Sequence, residues 1–375
     1  MKIACVQTFP IDYCIDYVNA IASVNDVTFL AAERAMRDHV DFVDPSVDTV
    51  LLSWPRHRSP GNLSLIYKLR QEILTRAPDV VHFLGDGVSW LSIMPSLVGQ
   101  RPVLITVHDV LKHPGDTKTF VIPYFASDLF QSQASRLVVH GESIKDQLIE
   151  RTKRRPDELD IVPHPALVRY AEIARRAGLP ERSAEGPFRL LFFGRVMTYK
   201  GLPHLLDAFD SLNAGDQAYA LTIAGRGPGY GEVEHRLDRP GIELHRGFVE
   251  DVDVARMFLQ ADLVVLPYIE ASQSGILAMA AAFGRAVLVT DVGELGVITK
   301  QTGMGMIVPP ADGEALANAI RTIRDDPALK SQLEDKSAYA AETGALSRRE
   351  VANAANQAYR NALDTFWSKP QASAS

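Results

Sequence analysis

The stretch with most chemistry in it is LLFFGRVMTYKGLPHLLDAF, residues 190–209. An apolar strand run ends at Gly194, Arg195 and Lys200 flank a short turn, and a helical pattern carrying Leu202, Leu205, Leu206 and Phe209 begins after Gly201. Two cations beside a helix N-terminus make an anion site, because the unpaired N–H groups and the dipole of the first turn add to their charge. A diphosphate is the natural guest. Alone, an Arg-x4-Lys would be a solvated basic turn, so other segments must support it. One is PYIEASQSGILAMAAAFG, residues 267–284, where a strand run gives way to a helix pattern after Ser274. Ser272 or Ser274 can cap that helix, Gly275 lets a ligand approach the backbone, and the N–H groups up to Ile276 would point at an anion. Glu270 stands before the helix, which offers no second carboxylate.

Other loops are weaker. LTIAGRGPGYGEVEHRL, residues 221–237, reads as strand, glycine-rich loop and helix, but counted from Gly225 the last glycine of G-x-G-x-x-G is replaced by Tyr230, which disfavours a nicotinamide cofactor. Further on, Gly247, Phe248 and Val249 follow a strand end and can offer backbone groups to a flat base, and Asp251 can cap the next helix. Among the ten histidines, His108 in TVHD follows a strand with a polar neighbour, Asp109. A satisfied structural histidine is the alternative. No His/Cys/Asp/Glu group has metal-ligand spacing and no G-x-S-x-G elbow is present, so neither a metal nor a cofactor is expected.

These loops need strands to present them. Short β-branched runs alternate with helical patterns, the signature of βαβ units and parallel sheets. Strand candidates are 2–6, 27–30, 49–53, 80–83, 103–107, 137–140 and 160–162, then 189–193, 220–224, 243–245, 262–266, 286–290 and 305–308. They predict two α/β domains of doubly wound, Rossmann-like type facing a central cleft. The first covers residues 1–177, a Gly/Pro/Ser-bearing linker 178–187, the second 188–345, a returning C-terminal helix 346–367 and a frayed tail 368–375.

Composition bounds the partners. With 375 residues, 46% of them hydrophobic, the chain can bury two cores. Lys+Arg 39 against Asp+Glu 46 gives a net charge of −7 without a basic stripe, which argues against nucleic acid. Cys5 and Cys14 lack metal-like company and fit two packed thiols in a reducing compartment. No apolar run reaches the roughly 20 residues of a spanning helix, so a cytoplasmic protein is expected, with peripheral membrane contact open through RTKRR at 151–155 or RHR at 56–58. A cation-rich helix end is the plainer account of the first cluster.

In order and spacing, FFGRVMTYKG, IAGRGPG, RGFVEDVDVARMFLQADLVVLPY, SGILAMAAAFGRAVLVTDVGEL and GMIVPPADGEALANAI resemble the donor-binding domain of family 4 glycosyltransferases, retaining enzymes of the GT-B fold (glycosyl transferases group 1). The first half is similar more loosely, through APDVVHFLG, LITVHDVLKHPGD, SRLVVHGESIKDQL and DIVPHP. The resemblance implies an acceptor-binding first domain and a nucleotide-sugar-binding second. It implies that Arg195, Lys200 and the turn Ser274, Gly275 and Ile276 hold the donor diphosphate and that His108 and Glu270 lie by the donor sugar; Gly225, Gly247, Phe248 and Val249 are expected to meet the nucleoside. The second glutamate of the family's E-x7-E motif would fall at Ala278 and is missing, so Ser272, Gln273 or backbone groups are expected to take the ribose. Glu294 stands where a second glycine is common. The expected activity is metal-free, retaining transfer of a sugar from a UDP- or GDP-type nucleotide-sugar to a glycan, lipid-linked or small-molecule acceptor, in polysaccharide or glycoconjugate assembly. A non-catalytic sugar-nucleotide binder and a nucleotide-sugar epimerase of like architecture remain as alternatives.

Overall fold

The computed structural model describes residues 1–55, 59, 61–86, 91–110, 124–183, 185–213 and 218–368. The RHR cluster, His113 and most of the 108–120 loop lie outside these residues. The described chain forms two compact units, one from Met1 to Pro165 together with the C-terminal helix from Arg348, the other Ala166–Ser347.

In the first unit, β1 (Lys2–Val6), α1 (Ile11–Ala22), β2 (Asp26–Ala32), α2 (Glu33–Met36), β3 (Asp48–Leu52), α3 (Asn62–Arg76), β4 (Val80–Phe83), α4 (Met94–Leu97), β5 (Val103–Thr106), α5 (Tyr124–Ser132), β6 (Arg136–Val139), α6 (Glu142–Thr152) and β7 (Leu159–Ile161) follow one another. The strands make one parallel sheet in the order β3-β2-β1-β4-β5-β6-β7. β4, β5 and β6 are buried at every residue, which is why they read as unbroken apolar runs: a parallel sheet is covered on both faces.

The second unit repeats the plan. After α7 (Val168–Arg176) come β8 (Phe188–Phe193), α8 (Leu202–Leu212), β9 (Tyr219–Gly225), β10 (Ile242–Arg246), α9 (Asp251–Gln260), β11 (Leu263–Leu266), α10 (Gly275–Ala282), β12 (Val287–Thr290), α11 (Gly293–Thr302), β13 (Gly305–Val308), α12 (Gly313–Asp325) and α13 (Pro327–Glu342). The sheet order is β10-β9-β8-β11-β12-β13, again parallel. Both sheets reverse direction beside their first strand, β1/β4 and β8/β11, and open α/β sheets bind ligands at the carboxyl ends flanking such a switch point.

The long helix α14 (Arg348–Ser368) packs on α1. Its Tyr359 hydroxyl reaches His82 Nδ1 at 3.0 Å, and Asn361 Nδ2 donates to Asp160 at 2.7 Å. Tyr359 therefore belongs to the first core, apart from the Phe366–Trp367 ring pair that follows it in the sequence.

Three expectations are corrected. The units divide at Pro165, not within 178–187, because α7 packs on α9 and α10, with the Arg169 guanidinium buried against Asp251 at 2.7 Å. Asp251 serves that ion pair, and Glu250 holds the N-cap position of α9 with no side-chain cap bond. The segment after the glycine-rich loop forms two 3₁₀ turns, Pro228–Glu232 and Glu234–Arg236, not an α-helix; Pro228, Gly229 and Gly231 lower its helix propensity.

Candidate functional site

The loops after β8 and β11 are held together by backbone, and glycine makes this possible. Gly201 has φ +68°, and a Cβ there would stand 1.9 Å from Pro267 O; the Ile269 N–H donates to Tyr199 O at 2.7 Å. From the next strand, Thr290 Oγ1 donates to Tyr268 O at 2.5 Å. The loop after β12 closes the other side: Gly293, φ +47°, brings its α-carbon against Ala271 O, and the Glu294 N–H donates to Ser272 O at 3.1 Å.

Into this frame comes Lys200, a residue only 7% exposed, at the turn between β8 and α8. Its Nζ donates to the Tyr268 hydroxyl at 2.8 Å and lies 4.5 Å from the ring centroid. Tyr268 Oη is 3.4 Å from Ser274 Oγ, which accepts from Ile276 N at 3.3 Å and so caps α10. A Cβ on Gly194 would meet Ile276 Cδ1 at 3.4 Å and Lys200 Nζ at 3.5 Å, so strand end, ammonium and helix start converge on one point. Among the described residues no carboxylate oxygen lies within 4.0 Å of Lys200 Nζ. A desolvated cation therefore faces hydroxyls and the positive end of a helix, an arrangement that an anion completes.

The structure thus brings together Lys200, Ser274, Gly275 and Ile276. Arg195 is exposed on the same β8 loop, with Nη2 3.4 Å from Tyr199 Oη. Along the same sheet edge, one and two strands away, lie the nucleoside candidates: Gly225 ends β9 and its carbonyl accepts from Gly247 N at 3.0 Å, after β10. Phe248 is 76% exposed, while Val249 is part-buried against the core. Glu270 is exposed ahead of α10. Ser272 is buried, and Gln273 has a buried Oε1 that accepts no hydrogen bond from the described residues. Ala278 lies inside the core beneath α7, where a carboxylate would have no water. Two groups escaped the sequence reading. Tyr268 was not singled out, and Glu294 was only a departure from a double glycine, yet it is a buried carboxylate fastened to Ser272 through its backbone.

His108 lies in the first unit, buried after β5, with Phe9 stacked on its ring at 3.4 Å. Nε2 meets Leu84 O at 2.9 Å and Nδ1 meets His140 Nε2 at 3.1 Å; His140 Nδ1 meets Val162 O at 2.8 Å. Tyr13 packs its ring against His108, His140 and His164. Burial lowers the histidines below their ordinary value: His140 to about 4, His82 and His164 to about 3, and His108 in the same direction, for which the neighbouring His140 is the second cause. In RTKRR, Arg151 pairs with Asp128 and Arg154 donates to Gln131 O and Ala134 O, so both serve the fold. Among the described residues no group of three or more His, Cys, Asp or Glu could hold a metal ion, and no helix is long and apolar enough to cross a membrane.

Comparison with known proteins bears on this site. The profile described as Glycosyltransferase Family 4 matches residues 13–166, and that described as Glycosyl transferases group 1 matches 187–326. The chain is 25% identical over 370 residues to a D-inositol 3-phosphate glycosyltransferase of Pseudarthrobacter chlorophenolicus, covering 92% of this chain and 88% of the relative. It is 23% identical over 288 residues to the alpha-D-kanosaminyltransferase of Streptomyces kanamyceticus, covering 72% and 73%. Among solved structures, a sucrose-phosphate synthase from Thermosynechococcus elongatus superposes with TM-score 0.70 at 17% identity, covering 96% of this chain and 98% of that one. Anabaena Alr3699/HepE in complex with UDP gives 0.67 at 14%, covering 95% and 99%. At such identities these structures establish the fold, GT-B with its two parallel-sheet units.

Proposed function

We propose, for a chain that belongs to the family 4 glycosyltransferases, that it is a retaining enzyme moving a sugar from a nucleoside diphosphate to an acceptor hydroxyl without a metal ion. The observation that carries this reading is Lys200: a buried ammonium with no carboxylate partner among the described residues, set at the capped start of α10. Cleavage of the donor leaves a nucleoside diphosphate with growing negative charge. Lys200, Arg195 and the N–H groups of Gly275 and Ile276 are preorganised to stabilise that charge, the electrostatic form of catalysis. The departing phosphate takes the acceptor proton, so no separate base is required. Phe248 stacks on the base beside Gly225, Gly247 and Val249; Gln273, short of a donor, and Ser272 take the ribose where Ala278 cannot. Glu270 and His108 serve the donor sugar and its phosphate. The acceptor is a glycan, a lipid-linked sugar or a small molecule in polysaccharide or glycoconjugate assembly, and the reaction takes place on the cytoplasmic side.

A thermal-shift panel of UDP, GDP and ADP, followed by assay of the matching nucleotide-sugars, tests this. One diphosphate should stabilise the wild type and not Lys200→Ala, and its sugar should be released or transferred with retained configuration. Stabilisation by none of the three would end the reading. Conversion of the nucleotide-sugar into an epimer without acceptor or hydrolysis would replace transferase by epimerase.

A further inference from the structure

Hydrogen bonding in the first unit does not balance with two neutral imidazoles. A carbonyl oxygen only accepts, so His108 Nε2, 2.9 Å from Leu84 O, and His140 Nδ1, 2.8 Å from Val162 O, must both carry hydrogen. Between the rings, His140 Nε2 and His108 Nδ1 lie 3.1 Å apart, a hydrogen-bond distance that needs one proton more. Three protons on two rings make one imidazole and one imidazolium; two neutral rings leave one of the three contacts unmade. The chain of contacts crosses the carboxyl ends of four adjacent strands, β4, β5, β6 and β7, and packing fixes it: Phe9 stacks on His108, and Tyr13 meets both rings at 4.7 and 5.3 Å.

We infer that His108 and His140 form one titrating unit that takes up a single proton, shared along their 3.1 Å contact, and that His140 is a positioning residue acting through His108. The titratable groups facing the pair are His82 on β4, His164 after β7, Tyr13 on α1 and Asp109 beside His108. Burial opposes the charge most; at His108 the partner His140 opposes it next and His164 and His82 less, while the carbonyls of Leu84 and Val162 and the Asp109 carboxylate favour it. The pair therefore loads in acid or when further negative charge arrives. Both nitrogens of His108 are engaged within their own unit, so it acts on a ligand by charge and not by a direct ring hydrogen bond. On the transferase reading, which this part of the inference needs, loading the pair adds one positive charge at His108 and so makes transfer depend on pH.

Imidazole ¹⁵N NMR of the full chain between pH 4 and 8 tests the pair without any ligand. The expected result is one common midpoint, below the ordinary 6.5 or so of histidine, with both rings moving part-way and one proton bound in total. In His140→Gln, which can still donate to His108 Nδ1 but cannot share a proton, His108 should stay neutral throughout. Two separate midpoints ending in two imidazolium rings, or no change down to the pH of unfolding, would overturn the inference whatever the protein's activity. Where transfer is measurable, the acid limb of kcat should follow the same midpoint and vanish in His140→Gln; an unchanged limb would remove the catalytic part.

Discussion

Lys200→Met separates a binding cation from a structural one. Methionine keeps the length of the stem and its packing over Tyr268 but removes the charge. In the free protein the ammonium faces the start of α10 through contacts of 2.8 and 3.4 Å. Taking a half charge at the helix end, a separation of about 6 Å and an effective dielectric near 20, the repulsion amounts to about 1.4 kcal/mol. Removing a buried charge that has no counter-charge also removes its desolvation cost. The free variant should thus unfold at the same temperature as the wild type or a few degrees higher. Its response to nucleoside diphosphate should collapse. One charge-assisted contact to phosphate is worth about 1.5–3 kcal/mol, and a loss near 2.7 kcal/mol is roughly a hundredfold in affinity. At a concentration of about 100 times the wild-type Kd, the ligand stabilises the wild type by about 2.7 kcal/mol but such a variant by only about 0.4. Calorimetric unfolding of both proteins with and without ligand reads this. A free variant several degrees less stable, with an intact ligand response, would refute the placing of the anion at Lys200.

Other outcomes follow from the same geometry. The folded-state values of His82 and His164, about 3, lie below the unfolded value, so the unfolded chain binds protons first as pH falls. These two alone should cost the first unit about 3 kcal/mol between pH 6.5 and 5, readable as a lowered urea midpoint in tryptophan fluorescence; an unchanged midpoint would mean that they are not buried neutral. Phe248→Ala should weaken nucleoside diphosphate binding by about 1–3 kcal/mol of stacking while leaving inorganic pyrophosphate unaffected in calorimetric titration; equal losses for both would place the aromatic off the base. Gly201→Ala must move Pro267 O or leave φ +68°, and should destabilise the second unit by about 1–3 kcal/mol or more in denaturant unfolding.

The thirteen strands of the described residues were legible to within two residues at each end, most plainly β4, β5, β6, β11 and β12, because a strand buried on both faces writes an unbroken apolar run. The start of α10 was legible too, since a serine before an apolar helix has one main use. What was not legible depended on distant partners. The helix α7 shows an amphipathic pattern, but nothing local says that its buried face meets α9, where Asp251 pairs with Arg169 across 82 residues. Tyr268 became a site residue only once the β11 loop was laid beside β8. The proton count of His108 and His140 needed the strand order, which sets residues 32 apart in sequence within 3.1 Å.

The central claim is that a nucleoside diphosphate sits at the meeting of Lys200 with α10. A crystal structure with the diphosphate that stabilises the protein most should place a phosphate oxygen about 2.7–2.9 Å from Lys200 Nζ and another on the N–H groups of Gly275 or Ile276. Phosphates bound elsewhere, with Lys200 still resting on the Tyr268 hydroxyl alone, would contradict it.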